Sequence, residues 1–168
     1  MPELARWRWW AWLLVSAGVI VLDQLTKWAV QQTLVFGQSV PVLPFFNFVL
    51  VYNPGAAFSF LSSAPGWQRD VFVVIGLGAS ALIMYLLRKH AADPMFCFAL
   101  ALILGGALGN VIDRVHLGAV VDFLDMHVAG YHWPAFNIAD SAITCGAVLL
   151  IWDSLRRPRA GAARQENP

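Results

Sequence analysis

Two aspartates with almost entirely apolar neighbours are the residues of this sequence that are best suited to chemistry. Asp122 stands in Val-Val-Asp-Phe (120–123), and Asp140 stands in Phe-Asn-Ile-Ala-Asp-Ser (136–141). A carboxylate in or beside a membrane is energetically costly, so its presence there indicates a function. Two carboxylates that meet can share one proton, and such a dyad can carry out hydrolysis. The question is whether the fold brings the two together.

Other polar residues have simpler structural interpretations, which the sequence alone leaves open. Asp23 and Lys27 are four residues apart, the spacing of an ion pair on a helix. Asp113 and Arg114 could end a helix at the lipid headgroups. Asp140 could itself be the N-cap of a helix, where aspartate is favoured and the helix dipole stabilises it.

A metal site is a further alternative that the spacing does not favour. Asp122, Asp125, His127 and His132 fall in one stretch, but they lack His-Glu-x-x-His or a comparable ligand spacing. Cys97 and Cys145 stand alone in apolar runs, which is typical of packed free thiols. We therefore expect no metal and no organic cofactor.

The composition places the chain in a membrane. Of its 168 residues, 59% are hydrophobic and only 12% are charged, whereas soluble domains have about 25% charged residues. This length predicts one domain, and the net charge of +1 gives no argument for nucleic-acid binding. The apolar run after Arg6 and Arg8 continues to Trp28 without a small-residue cleavage site, so it predicts a retained helix rather than a signal peptide.

Four segments are long and apolar enough to cross a bilayer, and basic residues orient them. The predicted helices cover about 9–28, 71–87, 95–112 and 138–155. Most of the 11 Lys and Arg residues lie before the first helix, in the 88–94 link or after the fourth helix. The positive-inside rule therefore predicts that both termini are cytoplasmic and that segments 29–70 and 113–137 lie outside. The tail 158–168, rich in Arg, Ala and Gly, is expected to be disordered.

The outer segments contain strand-like runs. Residues 40–51 and 119–126 are rich in β-branched and other apolar residues, and Trp67 and Trp133 belong to the same outer segments. Tryptophan favours the membrane interface. The predicted fold is thus a mainly α membrane protein, with four transmembrane helices and a small β-sheet at the outer membrane boundary.

This orientation brings the polar residues to one level, the outer boundary. Asp23 and Lys27 end the first predicted helix there, Asp140 begins the fourth, and Asp122 comes just before it. The other residues on this side are Asn53, Asn110, Asp113 and Arg114. A non-enzymatic transporter or assembly subunit with a proton relay would need charges distributed across the bilayer, so it is the weaker alternative; a lipid-modifying transferase is a third.

Five blocks, in matching order and spacing over about residues 10 to 155, resemble the lipoprotein signal peptidase (signal peptidase II) family. They are Asp-Gln-Leu-Thr-Lys (23–27), Tyr-Asn-Pro-Gly-Ala-Ala-Phe-Ser (52–59), Gly-Gly-Ala-Leu-Gly-Asn-Val-Ile-Asp-Arg (105–114) and the two aspartate segments. One block alone would be weak evidence, but five in order are specific. Pro54 departs from the family pattern, in which Thr is common at this position.

The resemblance implies a bacterial inner-membrane aspartic endopeptidase with a periplasmic β-cradle on the membrane. Such enzymes cut prolipoproteins before a diacylglyceryl-modified cysteine, so the implied partners are these prolipoproteins and membrane lipids. Asp122 and Asp140 would be the catalytic pair. The residues that would support them are Asp23, Lys27, Asn53, Gly106, Asn110, Arg114 and Asn137.

Overall fold

The computed structural model describes residues 9–55 and 66–156, which form four helices and four strands. The helices are α1 (Trp9–Thr33), α2 (Trp67–Lys89), α3 (Pro94–Leu117) and α4 (Ile138–Arg156). The strands are β1 (Ser39–Leu43), β2 (Phe46–Asn53), β3 (Val120–Val128) and β4 (Tyr131–His132). The prediction of a mainly helical fold with a small sheet is confirmed.

All four helices are long and apolar enough to cross a membrane. Large apolar side chains such as Leu14, Val74 and Ile151 are exposed on their outer faces, as a surface facing lipid requires. Helix α3 is the central helix and packs against α1, α2 and α4. Gly105 allows α1 and α3 to approach closely, because a Cβ there would lie 2.8 Å from the carbonyl oxygen of Ser16 in α1.

The four strands form one antiparallel sheet in the order β1-β2-β3-β4. Strand β2 pairs with β3 so that Val51 stands opposite Asp122 and Asn53 opposite Val120. Since β1 follows α1, α2 follows β2, β3 follows α3 and α4 follows β4, the sheet lies at one end of the helices. Asn53 and Asp122 are thereby brought to the same end as the start of α4.

The helices are longer than the apolar runs that predict them. Helix α1 continues to Thr33 rather than ending at Trp28, α2 begins at Trp67, and α3 continues to Leu117. Hydropathy falls where polar residues begin, whereas backbone hydrogen bonding continues past that point, so the segments between helices are shorter than predicted. Strand β4, with two residues, was not predicted. The prediction of a disordered tail falls outside the described residues, as do residues 56–59 of the second sequence block.

The opposite end of the helices carries basic residues. The Arg88 guanidinium lies 4.5 Å from the ring centroid of Trp9, so the end of α2 and the start of α1 are neighbours. Cys97, near the start of α3, is buried as predicted. Cys145 is exposed, so the prediction of a packed thiol is wrong there: this part of α4 faces outward from the bundle.

Candidate active site

Strand β3 holds Asp122 in a buried position between two asparagine side chains. Asp122 is only 2% exposed. Asn137 donates from Nδ2 to one carboxylate oxygen at 2.7 Å, and Asn53 donates to the other at 3.1 Å. Strand pairing fixes Asn53, because β2 ends where β3 begins. Both oxygens of Asp122 therefore have amide donors, which favour the ionised carboxylate.

Helix α4 holds Asp140 in its first turn. Asn110 of α3 donates from Nδ2 to the Asp140 carboxylate at 2.8 Å. Asn137 precedes the helix and accepts from the Asp140 backbone N–H at 2.9 Å, which is the bond that an N-cap residue makes. The N-cap is thus Asn137, and the alternative interpretation of Asp140 as the cap is wrong. The Asp140 side chain is instead directed towards Asn110.

The two asparagines connect the carboxylates to each other. Asn137 Nδ2 lies 3.3 Å from Asn110 Oδ1, so a continuous chain of amide contacts runs from Asp122 through Asn137 and Asn110 to Asp140. Burial, followed by the charge of Asp140, raises the pKa of Asp122 to about 7, against the opposing effects of the two asparagine donors and Lys27. The structure therefore brings the predicted pair into one electrostatically coupled site.

A buried ion triplet, formed by Asp23, Lys27 and Asp113, adjoins this site. Lys27 Nζ lies 2.8 Å from a carboxylate oxygen of Asp23 and 2.8 Å from one of Asp113. It also donates to Asn110 Oδ1 at 3.1 Å. The side chains are only 2%, 0% and 3% exposed for Lys27, Asp23 and Asp113. The predicted ion pair between Asp23 and Lys27 is confirmed, and it has a third member.

Asp113 is a further functional candidate, which the sequence did not place among the residues that support the aspartate pair. The interpretation of Asp113 as the end of a helix at the headgroups is wrong, because α3 continues to Leu117 and the side chain is buried. Gln24 donates to its second carboxylate oxygen at 2.8 Å. The signal was present in the sequence, since Asp113 follows Asn110 by three residues and residues with that spacing share a helix face.

Arg114 and Gly106 lie at the edge of the cluster. The Arg114 guanidinium donates to the carbonyl oxygens of Gly55 at 2.8 Å and of Asn110 at 3.2 Å, which ties the end of β2 to α3. Gly106 acts through packing, because a Cβ at this position would collide with the carbonyl oxygen of Ala139, the residue before Asp140. The other predicted residues, namely Asp23, Lys27, Asn53, Asn110 and Asn137, form one connected network with the aspartate pair.

A separate polar cluster occupies the far part of the sheet. Asp125 accepts from Asn47 Nδ2 at 2.7 Å and lies 2.9 Å from His132 Nδ1. Burial opposes ionisation, but the bonds from His132 and Asn47 outweigh it, so the pKa of Asp125 is lowered. In the part of the chain that the structure describes, no group of three His, Cys, Asp or Glu side chains is arranged to hold a metal ion.

Comparison with known proteins gives matches over most of the chain. The family model for signal peptidase (SPase) II matches residues 15–156. The lipoprotein signal peptidase of Janthinobacterium sp. (strain Marseille) is 62% identical over 146 residues, which are 87% of this chain and 88% of that protein. The lipoprotein signal peptidase of Ralstonia nicotianae is 60% identical over 148 residues, which are 88% of this chain and 86% of that protein.

Solved structures also share this fold over most of the chain. A bacterial membrane enzyme determined by the in meso method at 2.3 Å resolution superposes with a TM-score of 0.79 at 35% identity, covering 94% of this chain and 93% of the other. A second, at 1.9 Å resolution, gives a TM-score of 0.77 at 37% identity and covers 88% and 94%. With four membrane-spanning helices and these matches, the chain is a multi-pass membrane protein that belongs to the signal peptidase II family.

Proposed function

We propose that this chain is an aspartic endopeptidase that removes signal peptides from prolipoproteins, with Asp122 and Asp140 as its catalytic pair. The observation that carries the proposal is the chain of amide contacts that joins the two carboxylates through Asn137 and Asn110. The two residues come from a strand and a helix that meet at one end of the membrane helices. Two carboxylates held in this way share one proton, because two adjacent negative charges are unfavourable.

The dyad supports hydrolysis by general acid–base catalysis. The ionised carboxylate takes a proton from water as the water oxygen attacks the carbonyl carbon of the scissile peptide, and the protonated carboxyl donates to the carbonyl oxygen. The tetrahedral intermediate collapses when its C–N bond breaks and the leaving nitrogen receives a proton. The products are a new carboxyl terminus on the signal peptide and a free amino group on the cysteine, and the dyad again holds one proton.

The surroundings support a lipid-modified substrate entering from the membrane. The sheet lies beside the site, and exposed apolar side chains such as Val40, Val42 and Phe45 cover part of its surface. An apolar hollow of about 210 Å³ separates the end of α1 from β1 and β2. We infer that the sheet contacts the diacylglyceryl group while the apolar part of the signal peptide lies among the helices.

The proposed location is the bacterial inner membrane, with the site on the periplasmic side and both termini in the cytoplasm. Arg88, Lys89 and Arg156 lie at the helix ends opposite the sheet, and cytoplasmic loops are enriched in Lys and Arg. A proton-relay transporter is disfavoured, since the connected polar residues gather at one end of the helices.

Substitution of each aspartate tests the catalytic pair. Asp122→Asn and Asp140→Asn are each expected to abolish cleavage of a diacylglyceryl-modified prolipoprotein, because an amide cannot exchange the required proton. The matched control is Asp153→Asn, which changes an aspartate about 20 Å further along the same helix and should leave cleavage intact. The readout is the shortening of lipidated and unlipidated prolipoprotein by the purified variants in detergent. Continued cleavage by either active-site variant would refute the dyad.

A further inference from the structure

The two carboxylates of the ion triplet each reach a backbone amide beyond Lys27. Asp113 accepts from the N–H of Val121 at 3.1 Å. Asp23 accepts from the N–H of Ala139 at 2.9 Å. Val121 is the residue directly before Asp122, and Ala139 is the residue directly before Asp140. One lysine is therefore connected, through two carboxylates, to the backbone next to both members of the proposed pair.

We propose that this triplet is a positioning device that sets the separation of Asp122 and Asp140, with Asp113 as a further positioning residue. The inference rests on the proposed catalytic role of the two aspartates. They stand on different elements, the strand β3 and the helix α4, and the backbone bonds that join β3 to the segment before α4 end at Phe136, four residues before Asp140. The triplet supplies a direct bridge, since Lys27 Nζ lies 2.8 Å from a carboxylate oxygen of Asp23 and 2.8 Å from one of Asp113.

The hydrogen bonding of the triplet makes this bridge rigid. A lysine ammonium has three donors, and Lys27 has three close acceptors, one each on Asp23, Asp113 and Asn110. The third acceptor belongs to the residue that donates to Asp140. Gln24 adds donors to both carboxylates, at 3.2 Å to Asp23 and 2.8 Å to Asp113. The bridge therefore fixes both backbone segments and one side chain of the site.

Stability alone does not account for three buried charges. Well-packed apolar residues often stabilise a protein as much as a buried ion pair does, and the neighbouring helix contacts are made by small and apolar residues. Catalysis, in contrast, depends on geometry: a misplacement of about 1 Å can lower a rate by roughly 100-fold. The bridge ends at Val121 and Ala139, the residues directly before Asp122 and Asp140, so it meets this requirement.

Amide hydrogen exchange, read residue by residue by NMR in detergent micelles, tests each arm separately. Asp113→Ala should accelerate exchange at Val121 and leave Ala139 protected, because only the first arm is removed. Asp23→Ala should do the reverse, and Lys27→Met should accelerate both. Each variant should lower kcat by about 10- to 100-fold and change KM by less than about twofold, since a positioning residue acts on the reacting groups rather than on substrate binding.

Two further variants separate positioning from a general loosening of the fold. Ser16→Ala removes another buried bond between α1 and α3, from Ser16 Oγ to the Ala101 carbonyl at 2.9 Å, about 16 Å along the helix from Lys27; it should change neither exchange at the two amides nor kcat. Asp113→Asn keeps an oxygen for the Val121 amide, so it should recover protection there and part of kcat. If Asp113→Ala does not fold, the kcat of Asp113→Asn is compared with that of the wild type instead. A reduced kcat supports the positioning role, and an unchanged kcat overturns it.

The outcomes distinguish this inference from the proposed function. Wild-type kcat in Asp113→Ala or Asp113→Asn, or an equal loss in Ser16→Ala, would overturn the positioning role while Asp122 and Asp140 remain catalytic. Cleavage by Asp122→Asn would overturn the dyad itself and this inference with it. Selective exchange at Val121 and Ala139, together with a fall in kcat at constant KM, supports the positioning role.

Discussion

At the scale of single residues, the environment of Asp122 decides how the site responds to pH. Burial and the charge of Asp140 raise its pKa to about 7, and the amides of Asn53 and Asn137 oppose that rise. The two amides lower the pKa because both donate to the carboxylate oxygens and so stabilise the ionised form. Removing a donor should therefore raise the pKa further.

The variant Asn53→Ala should move the alkaline limb of the pH–rate profile to higher pH. In the proposed mechanism the dyad loses activity when it loses its shared proton, so kcat/KM of the wild type should fall above about pH 7. Loss of a hydrogen bond to a charged group is worth roughly 1.5–3 kcal/mol, which corresponds to a rise of about one pKa unit or more. The measurement is cleavage of a lipidated substrate from pH 5 to 9.

A matched control for this prediction stands on the same strand. Asn47 is also an asparagine of β2, but it donates to Asp125 rather than to Asp122. Asn47→Ala should therefore leave the alkaline limb in place. A shift to lower pH in Asn53→Ala, or equal shifts in both variants, would show that the amide of Asn53 does not stabilise the Asp122 carboxylate.

At the scale of elements, the close approach of α3 and α4 positions Asp140. A Cβ at Gly106 would meet the Ala139 carbonyl oxygen and Ile143 of α4. A backbone carbonyl cannot move aside alone, so Gly106→Ala must displace the first turn of α4. We expect this variant to lower the melting temperature and to reduce kcat by about 100-fold.

Gly78→Ala provides the comparison for Gly106→Ala. Gly78 lies in α2, where an added Cβ would find no atom within 4 Å. Alanine is favoured over glycine in a helix by about 0.5–1 kcal/mol, so this variant should keep full activity and an equal or higher melting temperature. Cleavage assays and thermal unfolding in detergent measure both effects. Equal activity in the two variants would argue against a positioning role for the α3–α4 contact.

Some features of the helices and strands could be predicted from the sequence, and others could not. Apolar runs predict the helices, because a helix that crosses lipid needs a continuous apolar segment. The connections between helices bring Asn53, Asp122 and Asp140 to one end. The ion pair between Asp113 and Lys27 could not be predicted, since it depends on the rotation of α1 against α3 about their axes. The choice of Asn137 rather than Asp140 as the N-cap was equally inaccessible, because both residue types are favoured caps and the start of the helix decides between them.

At the scale of the whole molecule, two polar ends bound an apolar middle. Helix α3, with 24 residues, is about 36 Å long, slightly more than the roughly 30 Å of a bilayer core. Tryptophans mark both ends: Trp67 and Trp133 are exposed near the sheet, and Trp10 and Trp152 are exposed near the basic end. Such belts are typical of the two membrane interfaces, so the sheet and the proposed active site belong to one aqueous boundary.

Cysteine labelling decides which side of the membrane that boundary faces. Tyr131 is exposed at the end of the β3–β4 hairpin, and Lys89 is exposed at the opposite end of the helices. With Cys97 and Cys145 replaced by alanine, a membrane-impermeant maleimide added to intact spheroplasts should label Tyr131→Cys and leave Lys89→Cys unmodified. After lysis it should label both, which establishes that each position reacts. The reverse pattern in intact spheroplasts would put the sheet and the dyad in the cytoplasm. The expected pattern follows from the basic residues at the Lys89 end, because segments rich in Lys and Arg stay in the cytoplasm during insertion.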